Sequence, residues 1–297
     1  NDSETMRMES EILLRMTHQN VASLHELYET TSSKWFIMEM ANGGSLHTAM
    51  AEEDRYTENL IAQNFKQVLE GVQYLHEMGI VHRDLKQDNI LCAVTETENG
   101  EKKYTAKIAD FGLSALVVRN NDPKKMKKIR TLKDMWGTKE YFAPEVYLKA
   151  YGPQADVWSL GCVLYELLTG EIPFPIREVR ESKLERIFLN AGKKAKRYYE
   201  MRPGWRELSP EAQDLIHMML KINPKKRYSI QECLEHPFIL RTSLSAISSA
   251  SKSLSMSQHA GVAVHPVGMS KEKVLVEAKA IANKRAAAKL ARTKLLV

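Results

Sequence analysis

Apolar residues along this chain recur at helical spacing in some stretches and gather into short bounded runs in others. From Met6 to Met16 they fall at Met8, Ile12, Leu13 and Met16, which predicts a short amphipathic helix. Lys34-Trp35-Phe36-Ile37-Met38-Glu39-Met40 reads as a strand, ended by Asn42-Gly43-Gly44. Between Thr57 and His76 the positions Leu60, Ile61, Asn64, Phe65, Val68, Leu69, Val72 and Leu75 mark a mostly buried helix, with Thr57 as N-cap and Gly79 past its end. Two runs, Ile90 to Val94 and Tyr104 to Ala109, flank a polar excursion that holds Asn99-Gly100. That pair predicts a hairpin, and the excursion reads as a surface insertion without chemistry. The longest apolar stretch, from Val157 to Leu168, is broken by Ser159, Gly161 and Glu166 and is too short to cross a bilayer.

Composition narrows the class. At 297 residues, 43% hydrophobic and 27% charged, the chain has the makings of one or two packed lobes. Net charge is +6, but residues 241–297 hold ten Lys or Arg against two Glu, so the basicity belongs to the tail and the remainder is slightly acidic. Nucleic-acid binding thereby loses most of its support. Cys92, Cys162 and Cys233 are odd in number, widely spaced and set among apolar neighbours. They argue for reduced thiols over disulfides or a zinc site, and for a cytoplasmic or nuclear location. The amino end is polar, lacks the apolar core of a signal peptide and does not start with methionine; it reads as an internal start of a longer product.

Candidate chemistry sits in His82-Arg83-Asp84-Leu85-Lys86-Gln87-Asp88-Asn89. An aspartate followed five residues later by an asparagine, with a lysine between, supplies an acceptor for a hydroxyl proton, a cation for phosphate charge and a neutral metal ligand. Asp110-Phe111-Gly112 adds a carboxylate at a strand end, suited to magnesium, and Ala143-Pro144-Glu145 comes after it. In this order the three signatures resemble those of a eukaryotic-type serine/threonine protein kinase of the calcium/calmodulin-dependent group. The resemblance runs from Met6 to about Leu240. It implies an α+β, protein-kinase-like fold with a mainly helical large lobe and a truncated small-lobe antiparallel sheet. It also implies ATP and Mg²⁺ as cofactors, and transfer of the γ-phosphoryl group to Ser or Thr of protein substrates.

Carried over residue by residue, the resemblance makes Asp84 the group that orients the hydroxyl and accepts its proton, Lys86 the cation that steadies the phosphoryl group, and Asn89 and Asp110 the metal ligands. Thr138, in the docking segment Gly137 to Glu145, is expected to hydrogen-bond Asp84 and Lys86. Adenine is expected to meet backbone groups of Glu39 and Ala41, with Met38 as gatekeeper and Leu91 in the same nucleotide site. Ser45 stands where many relatives place a ribose-binding glutamate. Glu9 falls on the small-lobe helix that holds a phosphate-binding lysine; taken alone it is a solvated helix glutamate. Asp156 is expected to accept hydrogen bonds from the catalytic-loop backbone, and Arg227 to pair with Glu145. Lys124 to Arg130 read as a solvated activation segment. Asp134, where relatives carry an activating phosphothreonine, is expected to offer Arg83 a fixed negative charge, with Thr131 as the alternative phosphosite. Asp88 and Glu140 point to a basic residue upstream of the target.

No GxGxxG loop occurs, the first glycine being Gly43, and no lysine-bearing strand precedes Glu9. Two readings follow: a fragment of an ordinary kinase, weak or inactive alone, or a catalytically silent scaffold. The non-methionine start and the retained catalytic residues favour the fragment. The expected layout is a partial small lobe over residues 1–40, a large lobe over 41–240, a Ser-rich linker over 241–269 and a basic helical tail over 270–297. In the tail Val274, Ile281, Ala288 and Leu295 keep heptad spacing, interrupted by Arg285 and Arg292. A calmodulin-like or acidic partner there stands against a solvated helix or disorder, which is the preferred reading.

Overall fold

The computed structural model describes residues 2–30, 33–51, 57–97, 102–117, 131–174 and 192–241. Helix α1 (Asp2–Leu13) buries Ile12 and Leu13. It begins before the expected start and ends before the expected Met16, because the N–H groups of Arg15 and Met16 turn back to Ile12 and Leu13 in tighter bonds of 3.1 and 3.4 Å. Met16 is still buried, from that turn. Strands β1 (Leu24–Glu29) and β2 (Lys34–Met38) pair antiparallel, with Leu27 opposite Phe36 and Tyr28 opposite Trp35. Alternation packs Phe36 and Met38 on the core and leaves Trp35 and Ile37 exposed.

Helix α2 (Leu46–Ala51) is followed by α3 (Glu58–Glu77), where the expectation holds closely. The Thr57 side chain accepts the Leu60 N–H at 3.3 Å, and Ile61, Phe65, Val68, Leu69, Val72 and Leu75 form the buried stripe. Strand β3 (Ile80–Val81) leads into the 82–89 loop, and β4 (Ile90–Glu96) and β5 (Lys102–Ile108) form an antiparallel pair. Strand β6 (Ala115–Leu116) then returns to β3. Part of the expected polar insertion is strand: Glu96 faces Lys102 and Thr95 faces Lys103, and an opposite-charge pair across the ladder favours extending it. The Asn99-Gly100 turn lies outside the described residues.

The rest is helical: α4 (Pro144–Tyr147), α5 (Gln154–Thr169), α6 (Gly192–Glu200), α7 (Pro210–Met219) and α8 (Ile230–Leu234). Helix α5 is buried on nearly every side, as its mostly apolar sequence requires. A Cβ at Gly161 would come within 2.9 Å of the Met219 and Leu220 side chains, so the missing side chain lets α5 approach the end of α7. Arg227 packs over the Trp158 ring at 5.2 Å and grips the Glu145 carboxylate with two bonds of 2.5 and 3.0 Å, both side chains buried as expected. The α+β architecture thus has short antiparallel sheets toward the amino end and helices beyond. Among the described residues no helix is long and apolar enough to cross a membrane.

Candidate active site

The loop 82–89 hangs on one buried carboxylate. Asp156, in the first turn of α5, accepts the backbone N–H of His82 at 2.9 Å, that of Arg83 at 3.0 Å, and the His76 ring nitrogen at 2.9 Å. Burial alone would raise its pKa; the His76 contact and the Arg83 N–H outweigh that and hold it below the ordinary carboxylate value. His82 bonds the Ala109 carbonyl through Nε2 at 3.0 Å, and its Nδ1 accepts the Asp84 N–H at 3.3 Å, which requires the neutral ring. Burial pushes the His82 pKa down, in the same sense.

Suspended this way, the loop presents its functional side chains to a second segment. The Asp84 Oδ1 accepts both the backbone N–H and the hydroxyl of Thr138, each at 2.7 Å. The Lys86 ammonium lies 3.0 Å from Asp84 Oδ2 and donates to the Thr138 hydroxyl at 3.1 Å. Burial works to raise the Asp84 pKa, but Thr138 and Lys86 hold it below its usual value, so the carboxylate is ionised at neutral pH. The close approach depends on Gly137, with φ of 117°, where a Cβ would sit 2.3 Å from the Arg83 carbonyl oxygen. Asn89 donates through Nδ2 to the Asp84 carbonyl at 2.8 Å and to Oδ2 at 3.1 Å, which leaves its Oδ1 for another partner.

Asp110 follows β5 with φ of 63°, and its Oδ1 accepts the Gly112 N–H at 3.3 Å. The Ala109 N–H donates to the Asn89 carbonyl at 2.9 Å, which fastens the Asp110 turn to the loop that carries Asn89. Two neutral or anionic oxygen donors from adjoining backbones form a hard donor set that fits Mg²⁺. Glu9 of α1 also reaches this place: its carboxylate oxygens lie 3.9 Å from where a Gly112 Cβ would be, and burial, then the Asp110 charge, raise its pKa. It is thus half-buried beside another carboxylate, unlike the solvated glutamate that its sequence context suggests by itself.

The expected nucleotide residues lie along the same hairpin. Ser45 bridges to Leu91 on β4, the Gly43 N–H donates to the Cys92 carbonyl, and Asn42 exchanges two bonds with Val94 at 2.7 and 2.9 Å. Gly43 is needed for this contact, since a Cβ would meet the Val94 side chain at 2.6 Å. Met38, Glu39 and Ala41 precede it at the end of β2. The Glu39 carboxylate has a structural task, binding Lys107 at 2.7 Å and the Ser23 N–H at 3.2 Å, while its own N–H donates to the Ser23 carbonyl. The Ser45 hydroxyl caps α2, accepting the Thr48 N–H at 3.1 Å.

One expectation fails. Asp134 is exposed, and among the described residues no ion pair joins it to Arg83. The Arg83 guanidinium bonds the carbonyls of Leu113 and Ser114, and its neighbour Tyr151 donates its hydroxyl to the Asp134 main-chain oxygen at 2.6 Å. The arginine is held by these carbonyls and by the Tyr151 hydroxyl, and the aspartate is exposed. Lys124 to Arg130 lie outside the described residues.

Residues 1–239 match the family model for the protein kinase domain. The chain belongs to the protein kinase family. It is 38% identical over 239 residues to human calcium/calmodulin-dependent protein kinase type IV, covering 80% of this chain and 46% of that one. It is 36% identical to calcium-dependent protein kinase 24 of Arabidopsis thaliana over 80% of this chain and 38% of the relative. Mouse serine/threonine-protein kinase DCLK3 is 35% identical over 78% of this chain and 27% of its own length. This kinase chain therefore spans less than half the length of these relatives and resembles the calcium/calmodulin-dependent group.

Two kinase-site features escaped the sequence. His76, taken only as the end of a helix, proves to be a ligand of Asp156. Glu166, seen only as an interruption in an apolar run, sits beneath the docking segment: Tyr141 donates its hydroxyl to it at 2.7 Å, and burial, then the nearby Asp88 charge, raise its pKa. Only its incongruous charge in a buried helix could have signalled it.

Proposed function

We propose that this kinase transfers the γ-phosphoryl group of ATP to Ser or Thr hydroxyls of protein substrates. The observation that carries the reading is the Asp84–Lys86–Thr138 cluster, with Asn89 bonded to Asp84 and the Asp110 turn fastened to Asn89 through the Ala109 N–H. A hydroxyl brought to the ionised Asp84 carboxylate is oriented by it and gives up its proton there as the oxygen attacks phosphorus. Lys86 offsets the negative charge on the transferring group, and Thr138 fixes the rotamers of both. Asn89 Oδ1 and the Asp110 carboxylate would hold Mg²⁺, which when bound neutralises phosphate charge. Adenine is read by main-chain groups of Glu39 and Ala41, with Met38, Ser45 and Leu91 around it. The exposed Asp88 and the half-buried Glu140 support a preference for substrates with a basic residue upstream of the target. The basic residues 270–297, and the likeness to a human calcium/calmodulin-dependent kinase, support a calmodulin-like or acidic partner at the tail. The buried free thiols of Cys92, Cys162 and Cys233 fit a reducing, cytoplasmic setting.

One observation favours the second reading, a catalytically silent scaffold. The Glu9 carboxylate lies near Asp110, and no cation pairs with it among the described residues. Two neighbouring anions raise the cost of admitting phosphates. Labelled ATP, Mg²⁺ and a seryl peptide with an upstream arginine separate the two readings. Transfer, however slow, that Asp84→Asn abolishes supports the kinase; nucleotide binding with no transfer at all, in wild type and Asp84→Asn alike, supports the scaffold.

A further inference from the structure

A groove far from this chemistry in sequence lies between α6 and the turn that leaves α7. It encloses about 380 Å³, within the range of ligand sites, and none of its residues belongs to the cluster around Asp84. Its walls are apolar: Tyr199 and Leu220 are buried and Ile222 is half-buried. Its rim is cationic, with Lys196, Lys221 and Lys226 all exposed. The carboxylate next to it, Glu200, is already shared, since its Oε1 lies 2.9 Å from His217 Nε2 and 3.2 Å from Lys196 Nζ. Among the described residues no carboxylate pairs with Lys221 or Lys226.

An apolar hollow rimmed by Lys221 and Lys226, which among the described residues have no carboxylate partner, complements a segment that has an apolar side chain with carboxylates beside it. We propose that this groove docks an acidic segment of a partner protein, its apolar side chain in the hollow and its Asp or Glu residues against Lys221 and Lys226. The chain's own residues 270–297 are basic and have the wrong sign to fill it. The contact is independent of phosphoryl transfer, so it persists in Asp84→Asn.

The test uses the full chain and a fluorescent peptide with one phenylalanine between pairs of Asp and Glu, read by polarisation and by the methyl NMR signals of Leu220 and Ile222. The expected result is saturable binding that shifts both methyl signals and weakens with salt. In Lys221→Glu/Lys226→Glu, two exposed changes that leave the core alone, affinity should fall by roughly tenfold or more. Replacing the peptide's phenylalanine by alanine should weaken it as well. Equal affinity in the double variant would assign the peptide to the basic tail and overturn the proposal. So would unshifted methyl signals, indifference to the loss of the phenylalanine, or no saturable binding.

Discussion

The catalytic loop and the segment from Met38 to Ser45 lie along the same β4–β5 hairpin, yet they use their side chains in opposite ways. In the loop, Asp84, Lys86 and Asn89 point their polar atoms at one another and at Thr138, and Asp156 supports them from beneath through backbone N–H groups. In the other segment the polar side chains are consumed by the scaffold: Glu39 on Lys107 and Ser23, Asn42 on Val94, Ser45 on Thr48. What remains there for a ligand is main chain. A site whose chemistry is in side chains writes a motif; a site whose recognition is in backbone writes almost none.

The comparison can be broken at several points. The largest structural effect is expected at the buried support of the catalytic side. Arg227→Met strands the Glu145 carboxylate and should cost about 3–5 kcal/mol, seen as a lowered urea midpoint. Replacing Thr138 by valine keeps the shape and removes the hydroxyl shared by Asp84 and Lys86. It should raise the activation barrier by about 1.5–3 kcal/mol, measured as kcat/KM, with little change in melting. At the other segment Ser45→Ala should act mainly as a lost helix cap, about 1 kcal/mol of stability, with nucleotide affinity nearly unchanged. A large loss of nucleotide affinity instead would give that hydroxyl a role in binding.

Acid should act on the same support more gradually. His82 has a folded pKa below its ordinary 6.5, so the unfolded chain binds the extra proton. Its contribution is therefore complete above 6.5 and is lost as pH falls toward the folded value. His217, also held low by burial, acts in the same direction. Calorimetry should show the thermal midpoint falling from about pH 7.5 to about pH 5.5; a rising midpoint would contradict the buried neutral ring.

Much of this was legible because buried apolar stripes and side-chain chemistry both leave patterns. Helix α3 follows its stripe from Thr57 onward, and Asp84, Asn89 and Thr138 bond one another as the resemblance implied, with the Asp110 turn fastened to Asn89 through the Ala109 N–H. What escaped depends on contacts between residues distant in sequence. His76 and Asp156 are 80 residues apart, and Tyr141 meets Glu166 only because the docking segment folds over α5. Asp134 misled for the same reason, since the register named a neighbour for Arg83 but not the carbonyls of Leu113 and Ser114 that satisfy it first.

In the proposed mechanism Asp84 acts on the acceptor hydroxyl rather than on the nucleotide. The most direct test is Mg-ATP affinity and kcat measured together in Asp84→Asn. Affinity should stay within about twofold while kcat falls about 10²–10⁴-fold. Retained turnover, or a loss explained entirely by weaker nucleotide binding, would contradict it.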